Sequence, residues 1–226
     1  MICIIAAMNS EVEAISAKMS GVKRKKVMEI PVIEGKLAGR KVILAQSGVG
    51  KVQASMTTAI LLCHYKVNYV LSTGVAGGFT ENQKILDIVV GDKIVQHDFD
   101  TSPVDGEKGY GIYSYSYLTL IQLAHRICAE KGCGKLHIGT IASGDQFIAE
   151  QSQIDFIRQH FKKVIACEME SGAISRVCNK QDVPCIVIRA ISDNVCFDGS
   201  EMDYAKNLAD ATVQNANFIE EFVGRS

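Results

Sequence analysis

The sequence predicts an α/β protein built on a mixed β-sheet. Short segments rich in Val and Ile alternate with segments whose apolar residues recur at helical spacing. The apolar stretch 85–97 is long and nearly continuous, with no helical pattern close by, which argues against a purely doubly wound order. Three apolar segments also run out into acids: Ile2–Ala6 toward Glu11, 163–166 into Glu168 and Glu170, and 186–191 into Ser192 and Asp193. Ligands of open α/β sheets sit beyond the carboxyl ends of the strands, so acids gathered there from distant parts of the chain point to an active site.

Taken in order, strands are expected at Ile2–Ala6, 28–34, 41–46, 69–72, 85–97, Leu136–Ser143, 163–167 and 185–191, all with the branched side chains of buried strands. Residues 35–39 (GKLAG) read as a hairpin connection. Val52, Met56, Ala59, Ile60 and Cys63 form one apolar helix face. Leu120, Leu123, Ala124 and Ile127 form a second. Leu208, Ala211, Phe218, Ile219 and Phe222, interrupted by Asn215, form a third.

The 226 residues suit one domain. A net charge of −1 leaves no electrostatic footprint for nucleic acid. The densest basic run, Lys23-Arg24-Lys25-Lys26, reads as a solvated loop or strand edge. Residues 1–8 lack a basic region and are too short for a secretory leader, and no apolar run approaches the ~20 residues of a membrane span. The eight cysteines follow no C-x-x-C pattern, and most fall in apolar segments; a reduced, cytoplasmic chain is expected, and no metal site.

Ser10 followed by Glu13 matches a capping box, which places Glu11 at the first helical position, where the helix field keeps it ionised and able to take a proton from water. An acid in a first turn is also simply a good helix start. Ser47-Gly48-Val49-Gly50-Lys51 resembles half a P-loop but lacks its first Gly and its Ser or Thr, so triphosphate binding is rejected in favour of a tight turn. Residues 72–78 (STGVAGG) read as a Gly-rich turn. Phe147, just past a strand end, is placed to stack on a planar base or to pack in the core. Glu168 and Glu170 alternate on an extended chain and so share a side, and one carboxylate can accept both hydroxyl hydrogens of a ribose diol. Asp193 has apolar flanks; desolvation is expected to raise its pKa so that it donates a proton near neutrality.

Six motifs stand in one register: M8-x-x-E11, S47-G-V-G-K51, T73-G-V-A-G-G78, S143-G-D-x-F-I148, E168-M-E170 and R189-A-I-S-D193. Together they resemble the bacterial 5′-methylthioadenosine/S-adenosylhomocysteine nucleosidases, over residues 1 to about 222. The resemblance implies the nucleoside phosphorylase-like fold, a three-layer sandwich whose central mixed, partly barrel-like β-sheet is flanked by helices. It implies that Glu11 activates water, that Asp193, supported by Ser192, protonates adenine N7 or bonds its amine, and that Phe147 stacks on adenine beside the Ile148 backbone. It implies that Glu170 holds the ribose hydroxyls, with Met169 beneath the sugar and Met8 and Val49 on the sugar and thioalkyl side; Glu168 is also expected among the substrate-binding residues. No cofactor is implied. Val75 stands where the family often has Ser, removing one hydroxyl near the water. The family's aromatic residue at the thioalkyl end falls near 200–207, where Met202 and Tyr204 are the candidates. A neighbouring subunit of a homodimer is expected to close the pocket with residues 97–112, Thr101 and Val104 among them.

The rivals are a purine nucleoside phosphorylase, a futalosine-type nucleosidase and a non-catalytic adenosine-binding protein. Phosphorolysis needs cations for phosphate. None lies in the first strand-loop segment or just before Thr73-Gly74, and Glu11 would repel the anion.

Overall fold

A computed structural model describes residues 1–131, 135–196 and 200–226. The strands are β1 (Ile2–Ala6), β2 (Met19–Val27), β3 (Ile30–Leu37), β4 (Arg40–Gln46), β5 (Tyr69–Gly78), β6 (Ile88–Asp100), β7 (Tyr110–Tyr115), β8 (Leu136–Ser143), β9 (Val164–Glu168) and β10 (Cys185–Asn194). The helices are α1 (Asn9–Ser16), α2 (Lys51–His64), α3 (Ser102–Asp105), α4 (Leu118–Lys131), α5 (Gln151–His160), α6 (Ser171–Lys180) and α7 (Ser200–Arg225).

The strands form one mixed sheet in the order β10-β6-β8-β9-β5-β1-β4-β3-β2, and β10 also pairs with β5. That extra pairing closes β5, β10, β6, β8 and β9 into a barrel, while β1, β4, β3 and β2 extend from it as an open wing. Alternation along the strands builds the layers. Ile2, Ile4 and Ala6 of β1 pack with α1, α4 and α7, whereas Cys3 and Ile5 face α2 and α6. Each fully buried Ile or Leu contributes about 1.5–3 kcal/mol of hydrophobic stabilisation. Ile94, Ile141, Val187 and Ile191 form a separate cluster within the closed part of the sheet. The three-layer, partly barrel-like expectation matches this architecture.

The local differences have physical reasons. The predicted strand at 28–34 begins two residues late, because Met28 and Glu29 form a turn with both φ positive (46° and 67°). The basic run before them lies in the exposed edge strand β2, a charged edge that resists pairing with another chain. Gly35 to Leu37 belong to β3, and only Ala38 and Gly39 turn. The Gly-rich 72–78 segment is no turn; it continues β5 to Gly78, with Gly77 and Gly78 paired to β9. The cap of α1 is Met8, not Ser10, and Glu11 is the third helical residue, reaching back to the Met8 N–H at 2.9 Å.

On α2 the buried face is Ala54, Thr57, Thr58 and Leu61, whereas Val52 and Met56 of the predicted apolar face are 75% and 48% exposed. Residues 97–112 fold as the end of β6, α3, a 3-10 turn and the start of β7. Among the described residues six cysteines are free thiols, but Cys128 in α4 is disulfide-bonded, which departs from the all-thiol expectation. Among the described residues no helix is long and apolar enough to cross a membrane.

Candidate active site

A cavity partly open to solvent lies at the carboxyl ends of β1, β5, β9 and β10. Glu11 enters from the first turn of α1 and is buried. Its Oε2 accepts the backbone N–H groups of Ala7 (3.0 Å) and Met8 (2.9 Å), and its Oε1 accepts that of Val75 (3.1 Å). Gly74 makes this possible. Its φ is +147°, and a Cβ there would collide with Glu11 Oε1. Burial pushes the Glu11 pKa up, against the lowering pull of these N–H groups and of Arg189. This corrects the expectation that the helix field governs its charge. The net effect is a more basic carboxylate.

Asp193 sits at the end of β10, where the register against β5 shifts between Ile191 and Asp193. It is 3% exposed, and its Oδ1 accepts the Ser192 hydroxyl at 2.7 Å. Gly77 lets it approach the sheet closely, since a Cβ on that residue would lie 3.1 Å from Asp193 Oδ2 and 3.2 Å from Cys167 Sγ.

The two acids at and just past the end of β9 differ. Glu168 accepts Arg189 Nη2 at 2.6 Å, the Ser171 hydroxyl at 2.7 Å and the Ser171 N–H at 2.9 Å. Burial raises its pKa, but Arg189 and Ser171 outweigh burial and hold it below the usual range. Its oxygens are thus engaged by the protein, although the residue lies in the cavity wall. Glu170, two residues on, accepts only the Gly50 N–H among the described residues, at 2.8 Å. Burial first, and the charge of Glu168 second, push its pKa up to about 7.

Phe147 and Ile148 line the cavity from the β8–α5 loop, and Val49 lines it from the β4–α2 loop. Met8, Val75, Met169 and Ser192 also line it, as predicted. Tyr204, on α7, meets Phe147 edge-on with ring centroids 5.5 Å apart, and its hydroxyl lies 3.5 Å from Met8 Sδ. Of the pair considered for this end of the site, Tyr204 lines the cavity; Met202 lies outside the lining and is 75% exposed, two residues back on the helix.

Sequence reasoning assigned no role to Gly50, Gln146, Cys167 or Arg189. Arg189 had a signal, a cation inside an apolar strand, which must find a buried partner. Cys167 looked like any small apolar residue. A backbone donor such as Gly50 N–H has no side-chain signature at all.

The family described as the phosphorylase superfamily matches residues 1–224. A 5′-methylthioadenosine/S-adenosylhomocysteine nucleosidase of Shewanella loihica is 36% identical over 220 residues, 96% of this chain and 95% of the relative. The crystal structure of the Neisseria meningitidis nucleosidase of that name, in complex with methylthio-immucillin-A, superposes with a TM-score of 0.93 at 30% identity, over 100% of this chain and 99% of that chain. The structure of futalosine hydrolase from Helicobacter pylori also superposes with a TM-score of 0.93 at 30% identity, over 100% and 97%. With a part-closed mixed sheet and an acid-lined cavity at its strand ends, the chain belongs to the phosphorylase superfamily and, within it, to the family of the 5′-methylthioadenosine/S-adenosylhomocysteine nucleosidases.

Proposed function

We propose that this protein is an N-glycosidic hydrolase that releases adenine from 5′-methylthioadenosine and S-adenosylhomocysteine, acting as one domain. The observation that carries the reading is the charge of the cavity. Its lining holds four carboxylate side chains and, among the described residues, no Lys, Arg or His. Arg189 stands behind the wall, already paired with Glu168. Phosphate would enter such a site against like charge, whereas neutral water does not.

The residues divide the work as the chemistry requires. The C1′–N9 bond breaks with its electron pair going to adenine, and Asp193 gives a proton to N7. Ser192, bonded to Asp193, fixes that carboxyl. As the sugar becomes cationic, Glu170 holds its hydroxyls and places negative charge beneath it. Water attacks C1′ and gives a proton to Glu11, whose burial makes it the stronger base. Phe147 stacks on the base, and the Ile148 backbone meets the base edge. Met8, Val49, Val75, Met169 and Tyr204 surround the sugar and the 5′ substituent.

Mixing the protein with 5′-methylthioadenosine, with and without phosphate, tests this directly. Free adenine and methylthioribose are expected at equal rates in both. Strict dependence on phosphate, with a sugar phosphate as product, would make the protein a phosphorylase.

A futalosine-type substrate is the second reading. It is favoured by the equal structural likeness to futalosine hydrolase and by the Tyr204 hydroxyl, a polar group at the 5′ end. Futalosine and 5′-methylthioadenosine as competing substrates distinguish the two.

The active form is proposed to be a homodimer in which residues 97–112 of one subunit close the other's pocket. The exposed apolar residues Val52, Met56, Phe99 and Val104 support this, Val104 being 88% exposed. The place of such a reaction is methionine salvage in the cytoplasm. The six free thiols suit a reducing compartment, and the bonded Cys128 does not.

A further inference from the structure

Three segments far apart in the chain close into a ring beside the cavity. Lys51 Nζ donates to Asp98 Oδ1 at 2.5 Å. Asp98 Oδ2 accepts the backbone N–H of Asp145 at 2.9 Å. Asp145 Oδ1 accepts the backbone N–H of Lys51 at 2.7 Å, and its Oδ2 lies 4.0 Å from Lys51 Nζ. The Lys51 and Asp98 side chains are 18% and 15% exposed, so solvent screens their attraction far less than it screens a surface pair. Burial pushes the Asp98 pKa up, but Lys51 and the Asp145 N–H outweigh it and hold the carboxyl ionised. None of the three side chains lines the cavity.

What the ring carries does reach the cavity. Gly50 directly precedes Lys51 and donates its N–H to Glu170 Oε1 at 2.8 Å. Its φ is +94°, and a Cβ on it would stand 3.0 Å from Asp145 Oδ1, so the ring packs directly against this one residue. Phe147 follows Asp145 by two residues and is carried on the same loop. The Gly50 N–H is the only donor on the Glu170 carboxylate among the described residues, so its position sets how that carboxylate is turned.

We infer that Lys51 is a positioning residue for sugar recognition: by tying Asp98 and Asp145 together, it holds the Gly50 N–H on one oxygen of Glu170 and presents the carboxylate to a ribose diol in one orientation. This rests on the reading that a nucleoside's sugar meets Glu170. Lys51 touches neither substrate nor reacting atoms; it acts through Gly50 and Glu170.

The test compares kcat and KM of Lys51→Met on 5′-methylthioadenosine and on its 3′-deoxy analogue. A site built to bond a hydroxyl discriminates against the analogue that lacks it, so the wild type is expected to prefer the riboside. In Lys51→Met, kcat/KM for the riboside should fall about tenfold or more, while that for the 3′-deoxy analogue falls no more than about twofold. Lys51→Arg should keep most of the preference. Asp98→Asn, isosteric with the wild type, supplies the same comparison should Lys51→Met not fold. Equal losses on both substrates mark the ring as merely structural and overturn the inference. So does an unchanged preference in the variants, or a wild type without one. Wild-type release of adenine from the riboside is read separately. If none is seen, the hydrolase reading fails, and Kd values for the two nucleosides then carry the same comparison across the variants.

Discussion

Glu170 is where function and stability pull apart. Its carboxyl holds its proton up to about pH 7 in the folded chain, well above the ordinary carboxylate range. The folded state therefore binds more protons than the unfolded chain between those two values, and stability falls as pH rises through that window. Glu170→Gln removes the charge and keeps an oxygen for the Gly50 N–H. It should raise Tm by several degrees near pH 8, with the gain fading as the pH drops to about 4.5, while kcat/KM falls. Thermal melts across that range check the sign; a variant less stable than the wild type at alkaline pH would show that Glu170 is not held at a cost. Asp193 is the opposite case, small in stability and large in rate. Asp193→Asn keeps the bond from the Ser192 hydroxyl and removes the transferable proton, so kcat should fall about 100- to 10,000-fold with Tm nearly unchanged. Near-normal turnover would place the acid elsewhere. These acids were legible in the sequence because each interrupts an apolar run, and a charge at such a place needs a reason. The groups that tune them were not: the N–H groups of Gly50, Met8 and Val75 carry no residue identity, and Arg189 could be paired with Glu168 only once β9 and β10 were folded.

At the level of elements, the Glu168–Arg189 pair ties the end of β9 to the middle of β10, and Ser72 of β5 joins it through its hydroxyl at 3.0 Å. Both charged side chains are nearly inaccessible, at 3% and 2% exposed. Removing one partner strands a buried charge, so Arg189→Met should cost about 3–5 kcal/mol in urea unfolding. The double variant Glu168→Gln/Arg189→Met should recover most of that loss, because neither remaining group is charged. A double variant as unstable as the single one would mean that packing of the arginine stem, not the charge, holds the strands. The elements themselves were unequally readable. β1, β4 and the first half of β10 announce themselves by short runs of Val, Ile and Leu (ICII, VIL and IVI), since both faces of these strands are covered. β2 and β7 do not. The first is a charged edge that ends in a turn of two non-glycine residues with positive φ, and the second (YGIYSY) has no apolar run. The glycines that end β5 look like a turn in one dimension. In three dimensions they are a strand that needs small residues, because Glu11 and Asp193 press against it.

At the level of the molecule, α2 poses the sharpest question. Its sequence carries an apolar face at Val52, Met56, Ala59, Ile60 and Cys63, yet the helix buries Ala54, Thr57, Thr58 and Leu61 against the rest of the chain. Ile60 packs against the core, but Val52 and Met56 stand 75% and 48% exposed, and the exposed Phe99 and Val104 come from the segment expected to reach a second subunit. If that face meets a second copy, a charge on it should separate the subunits without disturbing the core, since Met56 is 48% exposed and belongs to none of the buried clusters. Met56→Asp is thus expected to sediment as a monomer at micromolar concentration, where the wild type sediments as a dimer, with Tm reduced by the loss of association alone. Because residues 97–112 would then be missing from the neighbouring pocket, KM for 5′-methylthioadenosine should rise about tenfold or more, and wild-type activity should fall on dilution below the dimer Kd. A wild-type monomer with full activity would show that the chain closes its own site, and would leave the apolar face of α2 in need of another occupant.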